Sequence, residues 1–243
     1  MYNEKKILAI IPARGGSKGL PKKNIKEMNG KPLIYWTIKR AKESKFIDDI
    51  YISTDSDEIA AICDKVCGEK VEELRPDELA QDSTSSADVI KYTIEYLESE
   101  GKAYDYMILL EPTSPLRKEE DIDNIIKLAC DNPQSDGVIS LGKVHMEHPM
   151  SVKKVNTNGN IVSYFKHKDG IYQRQQMDLA YFPYGVAYLI KTKVFLECMS
   201  VYTENILPYY IERWQTYEVD DIYDFICIEA IMKSRELMND YNS

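Results

Sequence analysis

Short apolar runs alternate along this chain with longer amphipathic stretches, a rhythm that fits a layered α/β sheet better than any other arrangement. Ile7-Leu8-Ala9-Ile10-Ile11, halted by Pro12, reads as a buried strand. A turn-rich loop runs to Lys31, and Pro32 opens a helix whose face carries Leu33, Trp36, Thr37, Arg40 and Ala41. Ile50 to Ser53 is the next strand, and Thr54-Asp55-Ser56 offers caps for a helix to about Val66. Val71 to Leu74 reads as a short strand, and Ser85 or Ser86 caps a helix to about Glu98. Met107 to Leu110 is a central strand, then comes a helix from about Glu119 to Cys130 and a strand from Gly137 to Leu141. The pattern resumes with strand Val186 to Ile190, a helix to Met199, strand Gln215 to Val219 and a closing helix from Ile222 to about Met238. The expected fold is a Rossmann-like, mostly parallel central sheet with helices on both faces.

Between His145 and Pro183 the rhythm breaks. Val152 to Val155, the turn Asn158-Gly159 and Ile161 to Phe165 predict a β-hairpin, followed by a polar and aromatic stretch. The expected organisation is an α/β domain of residues 1–144 and 184–243 carrying an insertion over 145–183. Several of the chain's 18 tyrosines lie in that insertion, which suits a subunit interface. At 243 residues with 44% hydrophobic, one such domain has ample core. The N-terminus enters the first strand without a cleavable-signal pattern, and no apolar run spans a membrane. Five scattered cysteines form no disulfide framework, so a reducing, cytoplasmic setting is expected. Cys63 and Cys67 share a helix face, but two thiols without further ligands read as reduced helix cysteines.

The net charge of −9 argues against nucleic-acid or anionic-membrane partners. Its distribution is uneven: basic residues dominate the first forty positions. There, directly after the first strand, stands Pro12-Ala13-Arg14-Gly15-Gly16-Ser17-Lys18-Gly19-Leu20-Pro21-Lys22-Lys23-Asn24. Ligands of open α/β sheets bind beyond the carboxyl ends of strands. Glycines there admit phosphate oxygens to backbone amides, and Arg14, Lys18 and Lys23 can neutralise their charge. The glycine spacing matches neither a P-loop nor a dinucleotide fingerprint. Near the other end, alternation along a strand ending in Glu218-Val219-Asp220 would put both carboxylates on one side, able to reach one hard cation. Asp221 is a rival ligand, better read as the N-cap of the last helix.

The loop as a whole resembles the signature of the acylneuraminate cytidylyltransferases, the CMP-sialic acid synthetase family, which reads A-R-x-x-S-K-G-[LI]-P-x-K-N. Further segments follow in the family's order: Leu74 to Ala80 running into Asp82 to Ser86, Leu109-Leu110-Glu111-Pro112-Thr113-Ser114-Pro115-Leu116-Arg117, Met146 to Pro149, Arg174-Gln175-Gln176, Tyr184-Gly185 and Glu218-Val219-Asp220. The resemblance spans essentially the full chain. It implies a nucleotidyltransferase that joins CMP from CTP to the anomeric hydroxyl of a nonulosonic, sialic-acid-like nine-carbon acid, with release of pyrophosphate and Mg2+ as cofactor. By position, Ala13, Arg14, Gly15, Gly16, Ser17, Lys23 and Asn24 would hold the phosphates and ribose, and Arg75, Thr84 and Ser86 the cytosine. Arg14, Lys23 and Asp220 would be catalytic, with Asp220 and Glu218 holding the metal. Glu111, Arg174, Gln175, Tyr184 and Tyr188 would face the sugar, although Tyr188 reads equally as a core strand residue. Glu111 stands where N-acetylneuraminate enzymes generally carry Gln, and Tyr184 where they often carry Asn. These departures turn the expectation toward related acids such as legionaminic acid. The family pattern Asp-x-Asp is Glu-x-Asp here. Transfer to an eight-carbon, Kdo-type acid is the nearest alternative, and a catalytically silent nucleotide-binding protein a more distant one. The resemblance also implies a homodimer built through residues 145–183.

Overall fold

A computed structural model describes residues 1–81, 83–165 and 177–242, side chains from 236 onward excepted. Its elements in order are β1 (Ile7–Pro12), β2 (Glu27–Met28), β3 (Lys31–Pro32), α1 (Leu33–Glu43), β4 (Asp49–Ser53) and α2 (Asp57–Ile62). Then come α3 (Ser86–Ser99), β5 (Tyr106–Leu109), α4 (Asp121–Asp131), β6 (Gly137–Lys143), β7 (Lys153–Val155) and β8 (Ile161–Ser163). The last four are β9 (Tyr181–Lys191), α5 (Thr192–Cys198), β10 (Ile206–Tyr210) and α6 (Ile222–Asn242). Six strands make the central sheet in the order β4-β1-β5-β9-β6-β10. β4, β1 and β5 pair in parallel, as do β6 and β10, while β9 runs antiparallel between β5 and β6.

Alternation along β1 explains the layering. Ile7, Ala9 and Ile11 pack with Ile34 and Ile38 of α1 and with Ile122, Ile125 and Ile126 of α4. Leu8 and Ile10 point the other way, into a cluster with Ile90, Ile94 and Leu97 of α3 and Phe195 of α5. A strand buried on both faces must be apolar at every position, hence the unbroken run that begins the chain.

Three expectations are corrected. Residues 71–74 form no strand; just after them the Arg75 amide donates to the Thr54 carbonyl beyond the end of β4, 2.7 Å away. Gln215 to Val219 is not a strand either. Arg213–Gln215 is a 3-10 turn in which the Gln215 backbone N–H donates to Glu212 O, while its side-chain Nε2 donates to Leu116 O and Asp121 Oδ2. The strand in this part of the chain is β10, on the sheet edge, where Pro208 is tolerated because one side of the strand has no partner. Finally, the expected strand Val186 to Ile190 begins earlier: β9 starts at Tyr181, so Tyr181 to Pro183 pair with β6 rather than with the insertion. β9 follows β6 by way of the insertion and pairs antiparallel with both β6 and β5.

The expected hairpin is present as β7–β8, a two-stranded sheet of its own. Of the Asn158-Gly159 pair only Gly159 takes positive φ, +79°, while the Asn156 side chain accepts from the amides of Asn158 and Asn160. Arg174 and Gln175 lie outside the described residues.

Candidate active site

A cavity of about 650 Å³ opens beyond the carboxyl ends of β1 and β5. Its floor is the loop after β1, and this loop is fixed from below. Ala13 N–H donates to Ser53 O at 2.8 Å, extending the β1–β4 pairing by one bond. Gly15 N–H donates to Asp55 Oδ1 at 2.8 Å, and Asn24 Nδ2 donates to Arg14 O at 3.0 Å. Ala13, Gly15 and Gly16 stay behind the lining, whereas Arg14, Ser17, Lys18, Lys23 and Asn24 line it.

The segment carrying Glu218 and Asp220 closes the cavity opposite. Lys23 Nζ donates to Val219 O at 2.7 Å and lies 3.5 Å from Asp220 Oδ1. Val219 N–H donates to Thr113 O, and Gly19 approaches so closely that a Cβ there would fall 2.4 Å from Asp220 O. Asp221 Oδ1 accepts from the amides of Tyr223 and Asp224, and Asp224 Oδ2 accepts from those of Asp220 and Asp221. Asp221 is therefore the N-cap of α6. Glu218 and Asp220 both line the cavity, but not as a strand would present them. Glu218 Oε1 accepts from Ser114 Oγ, at 2.7 Å, and from Gly185 N–H, while the Asp220 side chain is 93% exposed.

On the wall formed by the end of β4 Arg75 is buried, with Nε on Ser53 Oγ at 3.0 Å and Nη2 on Ser53 O at 2.6 Å. Burial pulls its pKa down. Ser85 is the cap of α3, its Oγ accepting from Asp88 N–H, which leaves Ser86 to line the cavity beside Thr84.

On the third wall stands Glu111. Burial, then the charge of Glu218, pushes its carboxyl up to about 7, against the opposing pull of Arg117 and Lys23. Arg117 was given no role by the sequence reading, yet it ties this wall together. Buried, it donates to Val186 O, Thr37 Oγ1, Glu111 O and Gly185 O at 2.6 to 2.7 Å. Its one legible signal was an arginine set among apolar and proline residues before a helix. Ser114 was likewise without a role, and Asp55 was read only as a candidate helix cap, since neither motif spacing nor charge marks a hydrogen-bond partner. Tyr184 and Tyr188 do not line the cavity. Tyr188 is buried in the core cluster with Ile190 and Phe195, its ring 6.1 Å from Tyr202, and Tyr184 packs on Phe182.

The chemistry of the donors is that of a hard-cation and polyphosphate site. Asp220 offers an exposed carboxylate 3.5 Å from Lys23 Nζ, in a cavity that Arg14 and Lys18 also line. No group of three or more His, Cys, Asp or Glu forms a metal cage among the described residues. An exposed carboxylate such as that of Asp220 would suit Mg2+, which keeps waters and phosphate oxygens and takes only one or two protein carboxylates.

An open α/β sheet with a basic, glycine-bearing loop facing a carboxylate across a cleft defines an enzyme class that handles nucleotide phosphates. The family model for cytidylyltransferases matches residues 8–239, and this chain belongs to that family. It is 33% identical over 223 residues to an N-acylneuraminate cytidylyltransferase of Streptococcus agalactiae, covering 91% of this chain and 52% of that protein. It is 33% identical over 233 residues to a CMP-N,N'-diacetyllegionaminic acid synthase of Legionella pneumophila, covering 94% of this chain and 97% of that one. The chain thus spans about half the length of the first relative and nearly all of the second. The solved structure of a CMP:2-keto-3-deoxy-manno-octonic acid synthetase superposes with TM-score 0.70 at 20% identity, over 95% of this chain and 99% of that one, and so shares the fold. No helix among the described residues is long and apolar enough to cross a membrane.

Proposed function

We propose that this protein transfers the cytidylyl group of CTP to the anomeric hydroxyl of a nonulosonic acid, releasing pyrophosphate. The observation that carries the reading is that Arg14, Lys23 and Asp220 line one cavity, in a chain of the cytidylyltransferase family. The bond that forms joins the sugar oxygen to the α-phosphorus, and the bond that breaks joins that phosphorus to the departing pyrophosphate. Arg14 and Lys23 neutralise the charge growing on the phosphate oxygens. Lys23, held by Val219 O, is already aimed, so little reorganisation is needed when CTP arrives. The Asp220 carboxylate accepts the hydroxyl proton. Arg75, Thr84 and Ser86 line the part of the cavity assigned to the cytosine and ribose. Mg2+, held by Asp220, would supply Lewis-acid stabilisation of the phosphates.

Glu111 is assigned to the sugar, and its carboxyl, pushed up to about 7, can in its protonated form donate to, as well as accept from, a hydroxyl or acylamino group. This favours a substrate of the legionaminic type over one read by an anionic site. Arg174 is assigned to the acid's carboxylate, and Gln175 to the sugar. The exposed Val155, Ile161, Tyr164 and Phe165 of the hairpin suit a homodimer interface, and a cytoplasmic setting agrees with the five free cysteines.

The test is pyrophosphate release from CTP and Mg2+ with a panel of nonulosonic acids and an eight-carbon ulosonic acid. Release with a nine-carbon acid, lost in Asp220→Ala, is the expected result. Preference for the eight-carbon acid would redirect the assignment, and tight CTP binding with no release would leave a binding protein.

A further inference from the structure

Glu218 and Asp220 sit two residues apart, and both line the cavity, yet their surroundings differ. One oxygen of Glu218, Oε1, receives two donors: Ser114 Oγ from the loop after β5 and Gly185 N–H from β9. The junction is tightly closed, since a Cβ on Gly185 would lie 2.9 Å from Ser114 Oγ and 2.2 Å from Glu111 Oε2. Charge-assisted bonds of this kind fix a side chain more firmly than neutral ones. Around it the neighbouring backbone is fastened at successive points: Val219 N–H to Thr113 O, Val219 O to Lys23 Nζ, and Asp220 N–H to Asp224 Oδ2. Glu218 is half-buried at the cavity wall, whereas the Asp220 side chain beside it is 93% exposed.

We propose that Glu218 is a positioning residue and not a metal ligand: its carboxylate fastens the Asp220 segment to strand β9, and Asp220 alone meets the cation. The extra methylene of glutamate is what lets the carboxylate reach Ser114 and Gly185 from a backbone that also has to present Asp220. The tie joins the wall assigned to the sugar to the residue assigned to the metal, so displacement of either moves the other. This rests on the function proposed above.

Three variants separate the two roles. Glu218→Gln keeps a carbonyl oxygen able to accept both hydrogen bonds but removes the charge. Glu218→Ala removes both, and Asp220→Asn removes the exposed carboxylate. Mn2+ serves as probe, its free concentration read by electron paramagnetic resonance with protein and a non-hydrolysable CTP analogue. Expected is Mn2+ affinity within about twofold of wild type for Glu218→Gln and a loss of about tenfold or more for Asp220→Asn, the scale seen when a metal site loses a liganding or orienting group. Without nucleotide or metal, Glu218→Ala should melt about 3–8 °C lower and Glu218→Gln within about 2 °C of wild type. In turnover, Glu218→Gln should restore most of the kcat that Glu218→Ala loses. Loss of Mn2+ affinity in Glu218→Gln equal to that in Asp220→Asn overturns the proposal, as does ligand-free melting of Glu218→Gln as low as that of Glu218→Ala. A wild-type protein that binds no Mn2+–CTP would sink the proposed function instead, while the ligand-free melts still decide whether the tie exists.

Discussion

Glu111 makes the stability of the ligand-free protein depend on pH in a window where most carboxylates no longer titrate. Its folded-state value, about 7, stands above the ordinary 4.5 because burial penalises the charged form and Glu218 and Asp220 add like charge, with Arg117 and Lys23 opposing them. A raised carboxyl is best tolerated neutral. Its contribution is complete below about 4.5 and is lost as pH rises through about 7. The interval between those values, at 1.36 kcal/mol per pH unit, sets a ceiling of about 3 kcal/mol at pH 8.5. A domain of this size shifts by roughly 2–4 °C per kcal/mol, so the ceiling is about 6–12 °C in Tm. Glu111→Gln carries no titratable group. It should melt close to wild type at pH 5 and several degrees above it at pH 8.5. The assay is thermal unfolding at matched ionic strength between pH 5 and 8.5, with a chelator present and no nucleotide. A difference between the two proteins that stays constant across that range would refute the reasoning, since a packing effect has no pH dependence.

Arg117→Lys removes the planar fork that serves four acceptors at once and should cost about 3–5 kcal/mol, read as a fall in the urea midpoint. Gly19→Ala places a Cβ 2.4 Å from Asp220 O and should lower kcat/KM for pyrophosphate release by about a hundredfold, the cost of misplacing a reacting group by roughly 1 Å. Asp221→Ala loses the cap of α6 and should cost about 1 kcal/mol, near 2–4 °C in Tm, without changing the Mg2+ requirement.

Strands and helices that bury one face at regular spacing were legible in the sequence; those whose character depends on distant partners were not. β1, β4, β5 and α1, α3 and α4 follow from local pattern, because both core clusters draw on alternate residues of one strand and one stripe of each helix. β10 escaped because its exposed Tyr210 and Pro208 look like loop, and the edge of a sheet makes them tolerable. Gln215 to Val219 looked like strand, yet the Gln215 side chain finds better partners in Leu116 O and Asp121. The direction of β9 was equally hidden: an apolar run of five gives no sign of which way it lies between its neighbours.

In the site the division follows chemistry. The floor loop could be read directly, because glycines and cations that meet phosphate lie within a few residues of one another and of the strand that aims them. The opposite wall could not, because it is assembled from Glu111, Ser114, Gly185 and Glu218, which are up to 107 positions apart by their numbers. Motif order located each of these segments but assigned Glu218 by its chemical type, as a second carboxylate beside Asp220. The hydrogen bonds from Ser114 and Gly185 assign it differently. Two acidic residues at i and i+2 therefore carry separate tasks, one turned inward to hold the wall and one outward to meet the ligand. Periodicity cannot distinguish these tasks where the segment is irregular, because side-chain direction is then set residue by residue, by whichever donor lies within reach.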